Sequence, residues 1–139
     1  MLYRSVIFIF FGIGIRTHRS PWQRPFRLFG RIKMERRPEF TVIAGPNGAG
    51  KSRLCPFYIH TPSFDGDKLM LTLRKEHPEW PERWLTGSVA GELDKQKTQA
   101  LEHKTDFAFE TNFSSELPIR MVHDFKNAGF KTTLCYFGL

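Results

Sequence analysis

Residues 40–56 read FTVIAGPNGAGKSRLCP, and this stretch decides the fold. Phe40 to Ala44 is a short run of aromatic, β-branched and small apolar residues, which predicts a buried strand. Glycines at three of the next six positions, followed by a lysine and a serine, predict a tight turn over Gly45 to Ser52. A helix is expected to follow the turn, and Pro56 should disturb it, because its ring clashes with the carbonyl group of Ser52.

The turn fits the pattern G-x-x-x-x-G-K-[ST] at every specified position. In such a loop, main-chain N–H groups turn inward on an anion, and the N-terminus of the following helix adds its dipole. Lys51 is expected to reach the β- and γ-phosphates of ATP, and the Ser52 hydroxyl to bind Mg²⁺. An accidental glycine turn is the alternative, and the complete pattern between a strand and a helix argues against it. The predicted nucleotide-binding residues are Gly45, Asn47, Gly48, Ala49, Gly50, Lys51 and Ser52.

The rest of the chain alternates between predicted strands and helices. Apolar spacing predicts helices over 68–76 and 81–104, and a third helix is expected between a cap at Ser114 or Ser115 and a stop at Gly129. The predicted strands after the first are 63–67, 106–110 and 131–137. This order predicts an α/β fold of the P-loop type, with a parallel sheet flanked by helices and incomplete at the C-terminus.

Basic residues are concentrated at the N-terminus. The 139-residue chain has a formal net charge of +7, and residues 1–38 hold nine of its 21 Lys and Arg residues but only one of its 14 Asp and Glu residues. Residues 39–139 are therefore close to neutral, which argues against a nucleic-acid partner. The apolar run VIFIFFGIGI at 6–15 is too short to span a bilayer as a helix.

Residues 1–38 are predicted to be an extension outside the domain, which covers 39–139. Prolines interleaved with arginines favour an unfolded linker over 16–38, and Met34 is a natural start for the domain. Residues 1–33 are therefore expected to add nothing to the fold and to make no membrane contact. The alternative is a basic and apolar anchor that associates with a membrane.

Cysteine and histidine usage gives no sign of a zinc site. Cys55 and Cys135 are the two cysteines, they lie far apart, and none of the five histidines belongs to a zinc-binding motif. Two unpaired cysteines fit a reducing compartment, and a nucleotide-binding loop needs ATP. A cytoplasmic location is therefore predicted.

Carboxylates follow two of the predicted strands. Asp65 and Asp67 lie in FDGDK, and Glu110 lies at the end of FAFE. Ligands of open α/β sheets bind at the carboxyl ends of the strands, where a carboxylate near the γ-phosphate can accept the proton of an attacking hydroxyl. The sequence has neither the N-K-x-D motif of GTPases nor the signature sequence of ABC-type ATPases, so the pattern favours a kinase.

Four segments resemble, in this order, the zeta-toxin family of P-loop kinases, including its chromosomal members labelled ATPases: AGPNGAGKSRLCPF, FDGDK, DFAFETNFSS and AGFKTTLCYFGL. The resemblance runs from about Phe40 to the last residue. It implies transfer of the ATP γ-phosphoryl group to a hydroxyl of a small molecule, for the toxins a UDP-N-acetylamino sugar, and an antitoxin protein as a partner. It places Asp67 at the catalytic base beside the catalytic Lys51, and Glu110 and Thr111 at the substrate.

Each of these residues has a simpler interpretation. Asp65 and Asp67 could form a plain turn or helix cap, Glu110 could face solvent, and Thr111 could only close a turn. The arginines that neutralise the transferred phosphate in the family lie beyond the strand corresponding to 131–137, and nothing predicts Arg120 at the phosphates. A truncated nucleotide-binding remnant without catalytic activity therefore stays open as the second function.

Overall fold

The computed structural model describes residues 6–10, for their backbone, and 36–51, 53–54 and 59–138. Lys51, Arg53 and Leu54 begin a helix after the second strand, whereas Pro56 and Ser52 lie outside the described residues. The elements over 39–138 fall within two residues of their predicted bounds. The strands are β1 (Val6–Phe10), β2 (Glu39–Ala44), β3 (Ser63–Asp65), β4 (Phe107–Thr111) and β5 (Lys131–Gly138), and the later helices are α1 (Gly66–Glu76), α2 (Glu82–His103) and α3 (Leu117–Asn127).

The strands form a single sheet in the order β1-β5-β2-β4-β3, and every neighbouring pair is parallel. This confirms the predicted α/β fold with a parallel sheet. The strands β4 and β5 pair with β2 from opposite sides, so that Ala44 lies opposite both Thr111 and Tyr136. Strand order therefore reverses around β2, and its carboxyl end is the place where an open α/β sheet forms a ligand-binding crevice.

Apolar side chains on one face of the sheet form the larger core. Phe40 of β2 stacks on Phe125 of α3 with ring centroids 4.1 Å apart, and Phe107 of β4 stacks on the same ring at 5.7 Å. Phe125 is fully buried, as are Phe40 and Met121. The spacing that predicts α2 rests on three apolar residues, of which Leu85 and Leu93 are buried and Val89 is half-buried. The α3 helix thus packs on the sheet through a buried core in which aromatic rings stack on one another.

Replacing Phe125 by alanine is expected to lower the free energy of unfolding by about 3–5 kcal/mol, because it leaves a ring-sized cavity against two other aromatic rings. Ile119 lies on the same helix but is 51% exposed, so Ile119→Ala should change stability by less than about 0.5 kcal/mol. Urea denaturation followed by circular dichroism measures both. Equal effects of the two changes would contradict this account of the core.

The opposite face carries a smaller core of Ile43, Ala49, Ala108, Cys135 and Phe137. Ala49 belongs to the glycine-rich loop, so the loop packs directly against the sheet that supports it. Burial raises the pKa of the Cys135 thiol, which keeps it protonated as a small apolar core residue. Cys135 therefore packs in this core as an apolar residue.

Two helix starts differ from the predictions. The strand predicted over 63–67 ends at Asp65, because the Asp65 carboxylate accepts a hydrogen bond from the Lys68 N–H (3.0 Å) and so caps α1. The N-cap of α3 is Glu116, not Ser114 or Ser115, and its side chain makes no capping bond. The predicted stop of α3 is confirmed at Gly129, where φ is +87°.

The N-terminal segment contributes to the sheet. Val6–Phe10 pairs in parallel with β5, from Val6 opposite Leu134 to Phe10 opposite Gly138. The expectation that residues 1–33 add nothing to the fold therefore does not hold for Val6–Phe10. The physical reason is that β5 would otherwise be an edge strand with unpaired N–H and C=O groups. A run of β-branched and aromatic residues favours strand structure, so its backbone can pair with these groups.

The domain boundary after residue 38 stays a prediction, and most of the predicted linker lies outside the described residues. Arg36, three residues before β2, forms an ion pair with Asp106, the residue before β4. Among the described helices, none combines the length and the apolar character needed to cross a membrane.

Candidate nucleotide-binding site

The glycine-rich loop is clamped between two strand ends. The Gly45 N–H donates a hydrogen bond to the Thr111 carbonyl (3.3 Å) at the end of β4. On its other side Gly45 lies against β5, where a Cβ atom would be 2.5 Å from the Phe137 carbonyl oxygen. Its φ of +154° is also unfavourable for a residue with a side chain. Gly45 is therefore required by the close approach of the β5 backbone.

The loop then turns into a helix. The Ala49 N–H donates to the Pro46 carbonyl (3.2 Å), and the Arg53 and Leu54 N–H groups donate to the Gly50 carbonyl at 3.2 and 3.0 Å. Gly48 and Gly50 have φ near +80°, a conformation that alternates with ordinary residues in anion-binding nests. The loop thus has the backbone geometry that the pattern predicts.

Lys51 lies almost entirely below the surface, with 7% of it exposed. Its Nζ donates hydrogen bonds to the Gly45 carbonyl at 2.6 Å and to the Pro46 carbonyl at 3.1 Å. An ammonium group has three donors, so one remains for a phosphate oxygen. The two carbonyls hold the charge inside the curve of the loop and compensate for its burial.

Asp65 and Asp67 differ in their roles although they are two residues apart. The Asp65 carboxylate is used as the N-cap of α1, which supports the structural interpretation for that residue. Asp67 lies in the first turn of α1 and is exposed. Its carboxylate makes no hydrogen bond or ion pair with the described residues, so it can act on a ligand.

Glu110 and Thr111 end β4 beside the loop. Glu110 is half-buried and lies opposite Asp65 across the β3–β4 pair. The Thr111 hydroxyl accepts a hydrogen bond from the Phe113 N–H (3.0 Å), and Asn112 Oδ1 accepts one from the Ser114 N–H (3.0 Å). Both side chains therefore close the turn after β4, as the simpler interpretation has it. The Thr111 O–H still has its proton available for a ligand.

A single cleft of about 560 Å³ brings most of the predicted residues together. Of the predicted set, Gly45 and Ala49 do not line the cleft, and Ser52 lies outside the described residues. The prediction also missed two cations in the cleft, Arg53 and Lys68, whose only signal in the sequence is that each directly follows a predicted site residue. The lining residues are Asn47, Gly48, Gly50, Lys51, Arg53, Asp65, Asp67, Lys68, Leu71, Glu110, Thr111 and Asn112.

Metal binding in this cleft would need partners besides protein side chains. Among the described residues, no group of three or more His, Cys, Asp or Glu side chains could hold a metal ion. Mg²⁺ commonly uses only one or two protein oxygen ligands and takes the rest from phosphates and water. The carboxylates in the cleft match that mode of binding.

No protein-family model matches the chain, and no curated protein matches it either. Among solved structures, the fold is similar to the crystal structure of "a putative kinase" from Chloroflexus aurantiacus. The TM-score is 0.56 at 16% sequence identity, and the match covers 74% of this chain and 60% of that one. Similarity at this identity shows the fold alone. The chain spans about three-fifths of the length of that protein.

Proposed function

We propose that this chain is a P-loop phosphotransferase, which binds ATP with Mg²⁺ and transfers the γ-phosphoryl group to a hydroxyl of a small molecule. One observation carries the proposal. The buried ammonium of Lys51 and the exposed carboxylate of Asp67 line the same cleft at the carboxyl ends of the parallel strands. A phosphate-binding group and a group that can accept a proton are what transfer to a hydroxyl requires.

The loop fits the phosphates of ATP. The loop from Gly45 to Lys51 is curved, and the Lys51 ammonium donates hydrogen bonds to two of its carbonyls. The third N–H of the ammonium is left for a phosphate oxygen, and a side chain at Gly45 would disturb the loop. Asn47, Gly48 and Gly50 face the cleft, so main-chain N–H groups in this segment would hold the β- and γ-phosphates. Ser52 and one carboxylate of the cleft would hold Mg²⁺, which when bound neutralises phosphate charge.

Asp67, Lys51 and two residues at the end of β4 would each have a part in the reaction. Asp67 would accept the proton of the acceptor hydroxyl. The hydroxyl oxygen would form a bond to the γ-phosphorus, and the bond from that phosphorus to the β-phosphate oxygen would break. Lys51 would hold the β- and γ-phosphates in line with the hydroxyl. Glu110 and Thr111 would position the acceptor from the end of β4.

The identity of the acceptor is the finer part of the proposal. The four segments that resemble the zeta-toxin family support a UDP-N-acetylamino sugar as the acceptor and an antitoxin protein as a partner. A cytoplasmic location is proposed with them, because ATP is the phosphoryl donor. Each of these three statements can fail while the phosphotransferase itself stands.

ADP release by the full chain tests the proposal, measured with ATP and Mg²⁺ in the presence and absence of UDP-N-acetylglucosamine. We expect acceptor-dependent release, and a loss of at least about 100-fold in Lys51→Met, because the charge at the phosphates is gone. Lys126→Met is the matched control, since Lys126 is exposed in the last turn of α3, and it should leave the rate unchanged.

The other outcomes separate the alternatives. Release with a different hydroxyl compound would keep the phosphotransferase and exclude the UDP-sugar. ATP binding without release for any acceptor would support the catalytically inactive remnant. A wild-type chain that is folded but binds no ATP would contradict both.

A further inference from the structure

The cleft contains more positive charge than the loop motif itself supplies. Besides Lys51, it is lined by Arg53 and Lys68. Lys51 carries a single positive charge and already donates two of its three hydrogen bonds to loop carbonyls, whereas the phosphates of ATP carry several negative charges. Charge that develops on the transferred group needs a cation placed before the reaction.

The ammonium group of Lys68 is available to a ligand. Lys97, Lys104 and Lys131 are engaged with Asp124, the Ala128 carbonyl and Glu39, respectively. By contrast, Nζ of Lys68 makes no hydrogen bond or ion pair within residues 36–51, 53–54 and 59–138. Its side chain can therefore reorient toward a ligand without breaking an existing contact.

The backbone at Lys68 is fixed although its side chain is not. The Lys68 N–H donates to the Asp65 carboxylate, and the Lys68 carbonyl accepts a hydrogen bond from the Thr72 hydroxyl (3.1 Å). Lys68 directly follows Asp67 in the first turn of α1. A cation for the transferred phosphoryl group must reach the cleft that holds the proton acceptor, and Lys68 lines that cleft together with Asp67.

Arg53 occupies a different position. It lies in the first turn of the helix that follows the loop, next to the segment that would hold the phosphates of the donor. Lys68 instead borders both the cleft and a second groove of about 640 Å³ between α1 and α2. Lys68 thus lies at the border between the cleft and this groove.

We infer that Lys68 is the cation that neutralises the γ-phosphoryl group during transfer, with Nζ contacting a non-bridging oxygen. The inference rests on the proposed phosphotransferase function. On this inference the loop binds ATP, and a residue of α1 stabilises the transferred phosphoryl group. Lys68 should accordingly affect the transition state far more than the binding of ATP.

The first test compares Lys68→Ala, Lys68→Arg and Lys75→Ala in steady-state assays. Lys75 is an exposed lysine in the last turn of the same helix, so it is the matched control. We expect kcat to fall by about 100-fold or more in Lys68→Ala, with KM for ATP within about threefold. Lys68→Arg should recover part of the lost kcat because it keeps the charge, and Lys75→Ala should match the wild type.

A binding measurement gives a readout that does not depend on turnover. Calorimetry should show that aluminium fluoride tightens the binding of ADP and Mg²⁺ to the wild type by at least about 100-fold, because it imitates the transferred group. Lys68→Ala should lose most of that gain while its affinity for ADP alone stays the same.

The outcomes keep this inference distinct from the proposed function. Acceptor-dependent turnover in the wild type together with unchanged kcat and unchanged fluoride-dependent binding in Lys68→Ala would overturn the role of Lys68 and leave the phosphotransferase standing. A wild type with neither turnover nor fluoride-enhanced binding would overturn both.

Discussion

Replacing Asp67 by asparagine is expected to lower kcat for phosphoryl transfer by about 100-fold or more, while the affinity for ATP stays within about twofold. The carboxylate lines the cleft without a partner among the described residues, so its loss removes a proton acceptor and little of the structure. Asparagine has nearly the same shape and cannot accept the proton. Rates of ADP release and calorimetric ATP affinities of the two proteins measure the effect.

Asp94 serves as the control for Asp67, and Asp65 tests the cap of α1. Asp94→Asn changes an exposed carboxylate of α2 that does not line the cleft, and it should leave both constants unchanged. Asp65→Asn should preserve the start of α1, because asparagine caps a helix as well as aspartate does. A normal rate in Asp67→Asn would show that another group accepts the proton, and an equal loss in Asp94→Asn would point to a general effect on the fold.

Replacing Gly45 by alanine is expected to destabilise the domain by about 2–4 kcal/mol and to abolish ATP binding. The added Cβ would lie 2.5 Å from the Phe137 carbonyl oxygen and 3.1 Å from the Phe137 Cβ. Because the oxygen belongs to the backbone of β5, relief requires the loop or the strand to move. Such a movement would also displace the carbonyls that hold Lys51.

Gly87→Ala is the same substitution at a position where we expect the opposite effect on stability. It lies within α2, where an added Cβ would have no heavy atom within 4 Å, so Gly87→Ala should stabilise the domain by about 0.5–1 kcal/mol. Thermal unfolding measures both variants, and calorimetry measures ATP binding. If Gly45→Ala has the same unfolding temperature and the same affinity for ATP as the wild type, the close packing of the loop on β5 is not required.

The fold could be predicted because its signals are local. The run Phe40 to Ala44 has the composition of a buried strand, and the spacing of Gly45, Gly50 and Lys51 determines a turn that only a few backbone conformations allow. Helix spacing of apolar residues likewise located α2 and its buried Leu85 and Leu93. The observed bounds of the elements differ from the predicted ones where a side chain bonds to the backbone. Asp65, for example, caps α1 and so ends the predicted strand two residues early.

Contacts between distant segments could not be predicted in the same way. The pairing of Val6–Phe10 with β5 depends on which strand forms the edge of the sheet, and the charge and prolines near this segment pointed away from a folded role. The presence of Arg53 and Lys68 in the cleft depends on the directions of two helices. The hydrogen bond from the Phe113 N–H to the Thr111 hydroxyl likewise depends on the turn after β4, and the place of Thr111 at the substrate stays a prediction.

The most direct test of the central claim follows the backbone amides of the full chain by two-dimensional ¹H–¹⁵N NMR during a titration with ATP and Mg²⁺. The account predicts that the largest shifts occur at the amides of residues 47–51, and that Lys51→Met greatly weakens them at the same ATP concentration. Shifts confined to other parts of the chain, or no shifts from a folded protein at millimolar ATP, would contradict the claim that this loop binds the phosphates.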